Sequence, residues 1–195
     1  MPKLVVFNHV SLDGYFVDSK GDMSWAHVDP QDAEWNAFVS DNAGGGGALV
    51  LGRVTYDLMA SFWPTPMAAQ MMPAVAEGMN NMPKVLFSRT LEKATWHNTT
   101  LLKGDIAAET RKLKATPGPD MTILGSGTIV AQLAEVGLID EYQVVVNPTV
   151  LGKGRTMFAG LPAQMALRLT QSRTFGNGNV FLCYQPVGRE GQVTD

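Results

Sequence analysis

The sequence predicts a three-layer α/β/α sandwich with a mixed, mainly parallel sheet that closes in a C-terminal antiparallel hairpin. Three observations predict it. Short runs rich in β-branched residues, at Lys3 to Ser11, Ala48 to Gly52, Lys84 to Ser88 and Met121 to Gly125, alternate with segments of helical period. Strands alternating with helices imply a parallel sheet covered on both faces. The last two runs, Leu167 to Phe175 and Val180 to Gln185, are joined by GNGN, a hairpin signal that makes an antiparallel edge. Finally, 195 residues with 45% hydrophobic content suffice for one buried core. No Pro/Ser-rich linker or charge run divides the chain, so a single domain over residues 1–195 is expected.

Taken in order, the opening run is a buried strand, and LDGYFVDSKGD after it is a loop or tight hairpin. From Pro30 to Asn42 the pattern is helical, with Ala33, Phe38 and Val39 on a 3.6 period, Asp29 as N-cap and Pro30 in the first turn. GGGG at Gly44 to Gly47 reads as a flexible connection. ALVLG is a second buried strand, and RVTYDLMASFW starts a helix directly after it. A further helix lies within Ala68 to Asn80, its methionines read as adaptable core packing. KVLFS is a strand, Thr99 to Lys103 a weaker one, and Asp105 to Lys114 an amphipathic helix. MTILG is a strand, SGTIVAQLAEVG a helix ending at Gly137, and EYQVVVNPTVL a strand.

Composition removes several classes of function. A formal charge of −3 argues against nucleic-acid binding through bulk electrostatics. The opening apolar run is too short for a signal segment or a membrane span, so a cytoplasmic protein is expected. A single cysteine, Cys183, allows no internal disulfide and reads as inert packing in a strand. His9, His27 and His97 lack metal-ligand spacing, and no G-x-S-x-G elbow occurs. His9 reads as a satisfied core histidine.

The chemistry concentrates at strand ends. In open α/β sheets, ligands sit beyond the carboxyl ends of the strands, where helix N-termini present free amides. Gly125-Ser126-Gly127 lies there, strand before and helix after, with Ser126 and Thr128 adding hydroxyls. It is neither a dinucleotide fingerprint, since Val130 holds the third glycine position, nor a P-loop. Alone, it reads equally as a phosphate cradle or a structural turn. Two further strand ends add donors: Gly52, Arg53 and Thr55 in LGRVTY, and Ser88 and Arg89 in LFSRT. Together they suit a ligand with several phosphates.

At these strand ends the sequence resembles the dihydrofolate reductase fold. It resembles more closely the small stand-alone relatives of the reductase domain of the bifunctional riboflavin-biosynthesis deaminase–reductase. SLDGYF, LGRVTY, LFSRTLE, ILGSGTIVAQL, GLIDEY and NPTVLGKGRTMF occur in the family's order across nearly the whole chain. The resemblance implies NADPH as cofactor. Arg53, Thr55, Ser88 and Arg89 would hold the 2′-phosphate and a neighbouring phosphate, and Gly125, Ser126, Gly127, Thr128 and Ile129 would line the pyrophosphate. Folate-reducing enzymes resemble this loop with a cis glycine pair. Here the pair is Gly125-Ser126, and a non-proline cis bond costs about 3 kcal/mol; the geometry of that bond is left open.

On the substrate side the resemblance points to Asn8, Asp13, Met23 and Asp32. DMSW looks like the loop whose methionine closes over the nicotinamide, which makes Met23 that residue. Alignment on Pro30 and Trp35 puts Asp32 in the place of the pterin-binding carboxylate, where it would bind substrate and help deliver a proton. Asp32 in a first helical turn is also favoured by the macrodipole, and a shift would exchange it with Asp29. Asp13 reads equally as a turn cap and as a substrate contact. Lys153, Arg155 and Arg173 can supply charge to a sugar phosphate. The deaminase zinc signature is absent, so the chain corresponds at most to the reductase half. The expected activity is reduction of a ribosylaminopyrimidine by NADPH, with dihydrofolate or pterin reduction second and a nucleotide-binding module without catalysis third. Arg53 itself looks folate-like, since the deaminase–reductase is expected to carry a small residue there. The resemblance also implies a homodimer, with Met157 and Phe158 as exposed interface residues.

Overall fold

The computed structural model describes residues 1–26, 31–44 and 46–187. Eight strands form one sheet: β1 (Leu4–Ser11), β3 (Ala48–Gly52), β4 (Lys84–Phe87), β5 (Thr99–Leu102), β6 (Met121–Leu124), β7 (Glu141–Asn147), β9 (Leu167–Thr174) and β10 (Val180–Pro186). A separate ribbon pairs β2 (Tyr15–Asp18) with β8 (Gly154–Thr156). The helices are α1 (Ala33–Gly44), α2 (Arg53–Phe62), α3 (Pro66–Met71), α4 (Pro73–Asn81), α5 (Ile106–Ala115) and α6 (Gly127–Glu135).

The sheet order is β5-β4-β3-β6-β1-β7-β10-β9. The first six strands are mutually parallel, and β10 runs antiparallel between β7 and β9. Side chains alternate between two cores, as the pleat requires. Leu4, Val6, Val50 and Ile123 bury with Ile129, Val130 and Leu133 of α6. Leu49, Leu51 and Leu86 bury on the other face with Tyr56 of α2 and Val75 and Met79 of α4. Trp35 of α1 closes a third cluster over Val145, Phe175, Phe181 and Cys183. The layered fold class read from the sequence is the observed one.

Five local details differ from the sequence reading. Helix α1 starts at Ala33, with Asp32 rather than Asp29 at its head; Asp29 and Pro30 lie outside the described residues. The segment from Ala68 to Asn80 is two helices, because Pro73 lacks an N–H and disfavours the helical conformation at Met72, which sits at φ −141° and ψ 66°. Its methionines divide as well: Met79 is buried, Met71 is exposed. The stretch after β1 supplies β2, whose partner β8 lies far along the chain; at Gly154 a Cβ would fall 2.1 Å from the Val17 carbonyl oxygen, so only glycine permits this ribbon. Lastly, Met157 is buried and Phe158 packs on Tyr142 at 5.6 Å between rings, because the segment after β8 folds back on the core. These two residues are not the exposed interface the sequence suggested.

Candidate functional site

The carboxyl ends of β3, β4 and β6 converge with the N-termini of α2 and α6. The turn from β6 into α6 places two consecutive residues in the left-handed region, Gly125 at φ 56° and Ser126 at φ 53°. Such a conformation strains a side-chain-bearing residue and must be held by its surroundings. Here the surroundings are explicit. The Gly125 N–H donates to Asn8 Oδ1 at 2.7 Å, and Asn8 Nδ2 donates to the Gly125 carbonyl at 3.2 Å. The Ser126 N–H donates to Thr55 Oγ1 at 3.2 Å, and the Ser126 hydroxyl to the same oxygen at 3.1 Å. The Gly52 N–H donates to Ser126 Oγ at 2.8 Å. A Cβ on Gly125 would lie 2.9 Å from Thr55 Oγ1, and one on Gly127 would lie 2.9 Å from the Phe16 ring. The peptide bond between Gly125 and Ser126 is trans.

One consequence concerns charge. Ser126 occupies the N-cap position of α6, yet its hydroxyl makes no cap hydrogen bond. Gly52, at the N-cap of α2, has no side chain with which to make one. Two adjacent helix starts, fixed to each other through Thr55 and Ser126, therefore lack side-chain caps. First-turn amides have no intrahelical acceptor, and the macrodipole makes such ends favourable for anions.

Beside them, Arg53 donates from Nη1 to Thr90 Oγ1 at 3.0 Å and lies 3.4 Å from Asp57, so α2 meets the loop carrying Ser88 and Arg89. Ser88 Oγ accepts the Leu91 N–H at 3.1 Å and shapes that loop, while Arg89 is exposed. Arg53, Thr55, Ser88, Arg89 and the turn Gly125 to Thr128 thus occupy one edge of the sheet. Ile129 differs from them: its side chain is buried in the core and its N–H donates to the Ser126 carbonyl. Thr90 was not singled out from sequence, although it completes the same LFSRT motif.

The expected substrate-side residues are more dispersed. Asp32 heads α1: Oδ1 accepts the Trp35 N–H at 2.9 Å and Oδ2 accepts Asn177 Nδ2 at 2.8 Å. Its neighbour Glu34 pairs with Arg173 at 3.0 Å, and Arg173 lies over Phe175 at 4.5 Å, which ties the β9–β10 turn to α1. Asp13 accepts the Ser11 hydroxyl at 2.6 Å and the Leu151 and Gly152 amides at 3.1 and 2.7 Å. The Ser11 hydroxyl, then those amides, hold its carboxyl below the ordinary carboxylate value. Asp13 therefore bridges two loops, while Ser11 Oγ takes the local turn bond from the Tyr15 N–H. Asn8 is 2% exposed and faces the core. Met23 is half-buried and packs against the main core cluster. His9 Nδ1 lies 3.0 Å from Asn147 Oδ1, with its ring edge-on to Trp35 at 5.6 Å.

A cleft of about 220 Å³ runs along α6 between Thr128, Gln132, Glu135, Phe16 and Arg155. A more open one of about 470 Å³ lies at Lys20, Lys153 and Arg155 beside the β2–β8 ribbon. Thr128 and Gly127 connect the first cleft to the amide cluster. Cys183 is buried, and its thiol is pushed up to about 11 by burial and by the Glu141 charge, as suits packing rather than reactivity. Among the described residues no cluster of three or more His, Cys, Asp or Glu could hold a metal, and no helix is long and apolar enough to cross a membrane.

The site therefore lies on a mainly parallel sheet with an antiparallel end, helices on both faces and two uncapped helix starts at its carboxyl edge. The chain belongs to the RibD C-terminal domain family, whose model matches residues 2–181. Two uncharacterized proteins of Bacillus subtilis (strain 168) are relatives: YyaP, 26% identical over 90% of both chains, and YwjB, 26% identical over 89% of this chain and 92% of that one. Among solved structures, a protein of Shewanella sp. PV-4 named for riboflavin biosynthesis superposes with a TM-score of 0.73 at 22% identity, over 95% of this chain and 99% of the other. A pyrimidine reductase-like protein of Corynebacterium diphtheriae superposes with a TM-score of 0.66 at 12% identity, over 96% and 92%. The deaminase/5-amino-6-(5-phosphoribosylamino)uracil reductase of Thermotoga maritima gives 0.63 at 14% identity, over 95% of this chain but 57% of that larger one.

Proposed function

We propose that this chain is an NADPH-dependent reductase that acts on a ribosylaminopyrimidine, as the reductase half of the riboflavin-biosynthesis enzyme does. One observation carries the reading: the uncapped starts of α2 and α6 are fixed side by side at the carboxyl edge of the sheet, next to Arg53 and Arg89. That donor set fits a dinucleotide with an added phosphate. The amides of Gly127 and Thr128, with the Thr128 hydroxyl, would face the pyrophosphate. Arg53, Arg89 and Ser88 would hold the 2′-phosphate. Ser126 and Thr55 would act through the turn they lock, since their hydroxyls bond to each other. When bound, NADPH supplies a hydride.

On the substrate side, Asp32, Asp13 and Met23 are proposed to border the ring. Each oxygen of Asp32 holds one donor, and a carboxylate oxygen has a second lone pair with which to orient an amino or ring N–H. The prior ties of Asp32 to Trp35 and Asn177 disfavour a full two-oxygen grip on a pterin edge, which places folate reduction second. Charge for a sugar phosphate is proposed from Lys153 and Arg155, and not from Arg173, which already pairs with Glu34. A cytoplasmic setting and a homodimer complete the proposal. Pairing is proposed at the edge strand β9, where, among the described residues, seven of eight are exposed. The test is turnover of NADPH with the ribosylaminopyrimidine phosphate and, separately, with dihydrofolate. Oxidation with the first alone supports the proposal. Oxidation with dihydrofolate alone selects the second reading, and nucleotide binding without either reaction selects a binding module.

A further inference from the structure

Asn8 interrupts the apolar row of the central strand. Leu4, Val6 and Asn8 all point into the same core, and Asn8 is as buried as its neighbours. A buried carboxamide is costly unless its donors and acceptor are satisfied. Backbone pairing between β1 and β6 ends at Phe7 opposite Leu124. One residue further, Gly125 has turned left-handed, and the Asn8 side chain takes over the missing ladder by accepting its N–H and donating to its carbonyl. The same Nδ2 also lies 3.1 Å from Met157 Sδ, which ties the segment after β8 to the turn.

We infer that Asn8 is a positioning residue: it holds Gly125 left-handed and so aims the first amides of α6 at the cofactor pyrophosphate, without touching cofactor or substrate. This rests on the nucleotide site proposed above, and it replaces the direct substrate contact expected from the sequence. Thr55 and Ser126 fix one side of the turn and Asn8 fixes the other, so both residues of the strained pair are held.

The test uses Asn8→Ala and Asn8→Leu in the full chain. The leucine keeps the volume of the buried side chain but offers the Gly125 N–H no acceptor and its carbonyl no donor, so it removes the clamp without the cavity that could unfold the alanine variant. Exchange of the Gly125 amide, measured against the Ile123 amide in β6, should speed at least about tenfold, as expected for loss of a buried hydrogen bond. Affinities for NADPH and NADH should both fall by the same factor of about ten, because the pyrophosphate is common to the two. Unchanged Gly125 exchange in both variants overturns the clamp, whatever the nucleotide does. Faster exchange with unaltered affinity overturns the link to the cofactor. A wild-type protein that binds neither nucleotide overturns the nucleotide reading and that link together, and the exchange result still decides the clamp.

Discussion

Helices α1 and α6 both begin at the carboxyl edge of the sheet, yet their first turns are built in opposite ways. Helix α1 carries its own anions: Asp32 caps the Trp35 amide, and Glu34 lies in the first turn beside Arg173. Helix α6 has no acidic residue in its first turn and no side-chain cap. A helix start that already holds carboxylates repels a phosphate, and one that lacks them attracts it. The contrast therefore separates the two halves of the proposed site. On the proposed reading, phosphate goes to α6, and the end of α1 receives a ring with N–H groups to donate.

The sharpest way to break this contrast is to make α6 resemble α1. Ser126→Asp places a carboxylate at the N-cap, in a left-handed conformation that aspartate tolerates. NADPH affinity should fall by about a hundredfold or more, or about 2.7 kcal/mol, while the melting curve reports separately the stability lost with the Ser126 hydroxyl's bonds to Gly52 and Thr55. Calorimetric titration beside a melting curve checks both. Undiminished affinity would mean that the amides of α6 do not face the ligand.

A smaller effect is expected at α1. In Asp32→Asn the amide oxygen still caps Trp35, but the NH₂ group meets the donor of Asn177, so the stability loss should stay within about 1 kcal/mol. NADPH affinity should be unchanged, and turnover should fall about tenfold or more if Asp32 orients the substrate. Equal loss of stability and turnover would reduce Asp32 to a cap.

The smallest effect on the site is expected from Lys84, at the opposite end of β4. Its ammonium donates to the carbonyls of Asn80, Met82 and His97 and lies 4.3 Å from the Trp96 ring centre. Those contacts favour the charged form, but burial outweighs them and lowers its pKa to about 8 from the ordinary 10.5. The unfolded chain then binds more protons than the folded one between pH 8 and 10.5, so stability rises with pH across that window. Lys84→Met should abolish that rise and, by stranding three carbonyls, cost about 1–3 kcal/mol at neutral pH. NADPH affinity should not move. Melting curves at pH 7.5 and pH 10 give the comparison with wild type.

How much of this was legible in the sequence follows from which forces are local. The strands of the sheet were readable because β-branched runs and turn residues are local signals, and the strand-end glycines because only they tolerate the turn at Gly125. Ribbon β2–β8 was not readable, since residues near position 17 meet residues near position 155 and nothing local marks the pairing. Pro73 did mark a helix break, but the apolar period on either side of it masked the break. At the site, residue identity was visible and the detailed contacts were not. Asp13 and Asp32 carry both a structural and a substrate reading in sequence; the fold adds that their polar atoms, with those of Asn8, hold loops, a helix start and a strained turn. Conversely, the missing caps of α2 and α6 are visible only once Ser126 is seen bonding to Gly52 and Thr55 instead of to its own helix.

The central claim is that this sheet edge binds NADPH, and the most direct measurement is a titration of the purified protein with NADPH and NADH, followed by tryptophan quenching. Wild type should bind NADPH more tightly. Arg53→Ala and Arg89→Ala should each lose about tenfold or more toward NADPH, as for a hydrogen bond to a charged group, and little toward NADH. Equal binding of the two nucleotides, untouched by either arginine, would contradict the assignment of the 2′-phosphate. Failure to bind both would mean that the paired helix starts serve the fold alone.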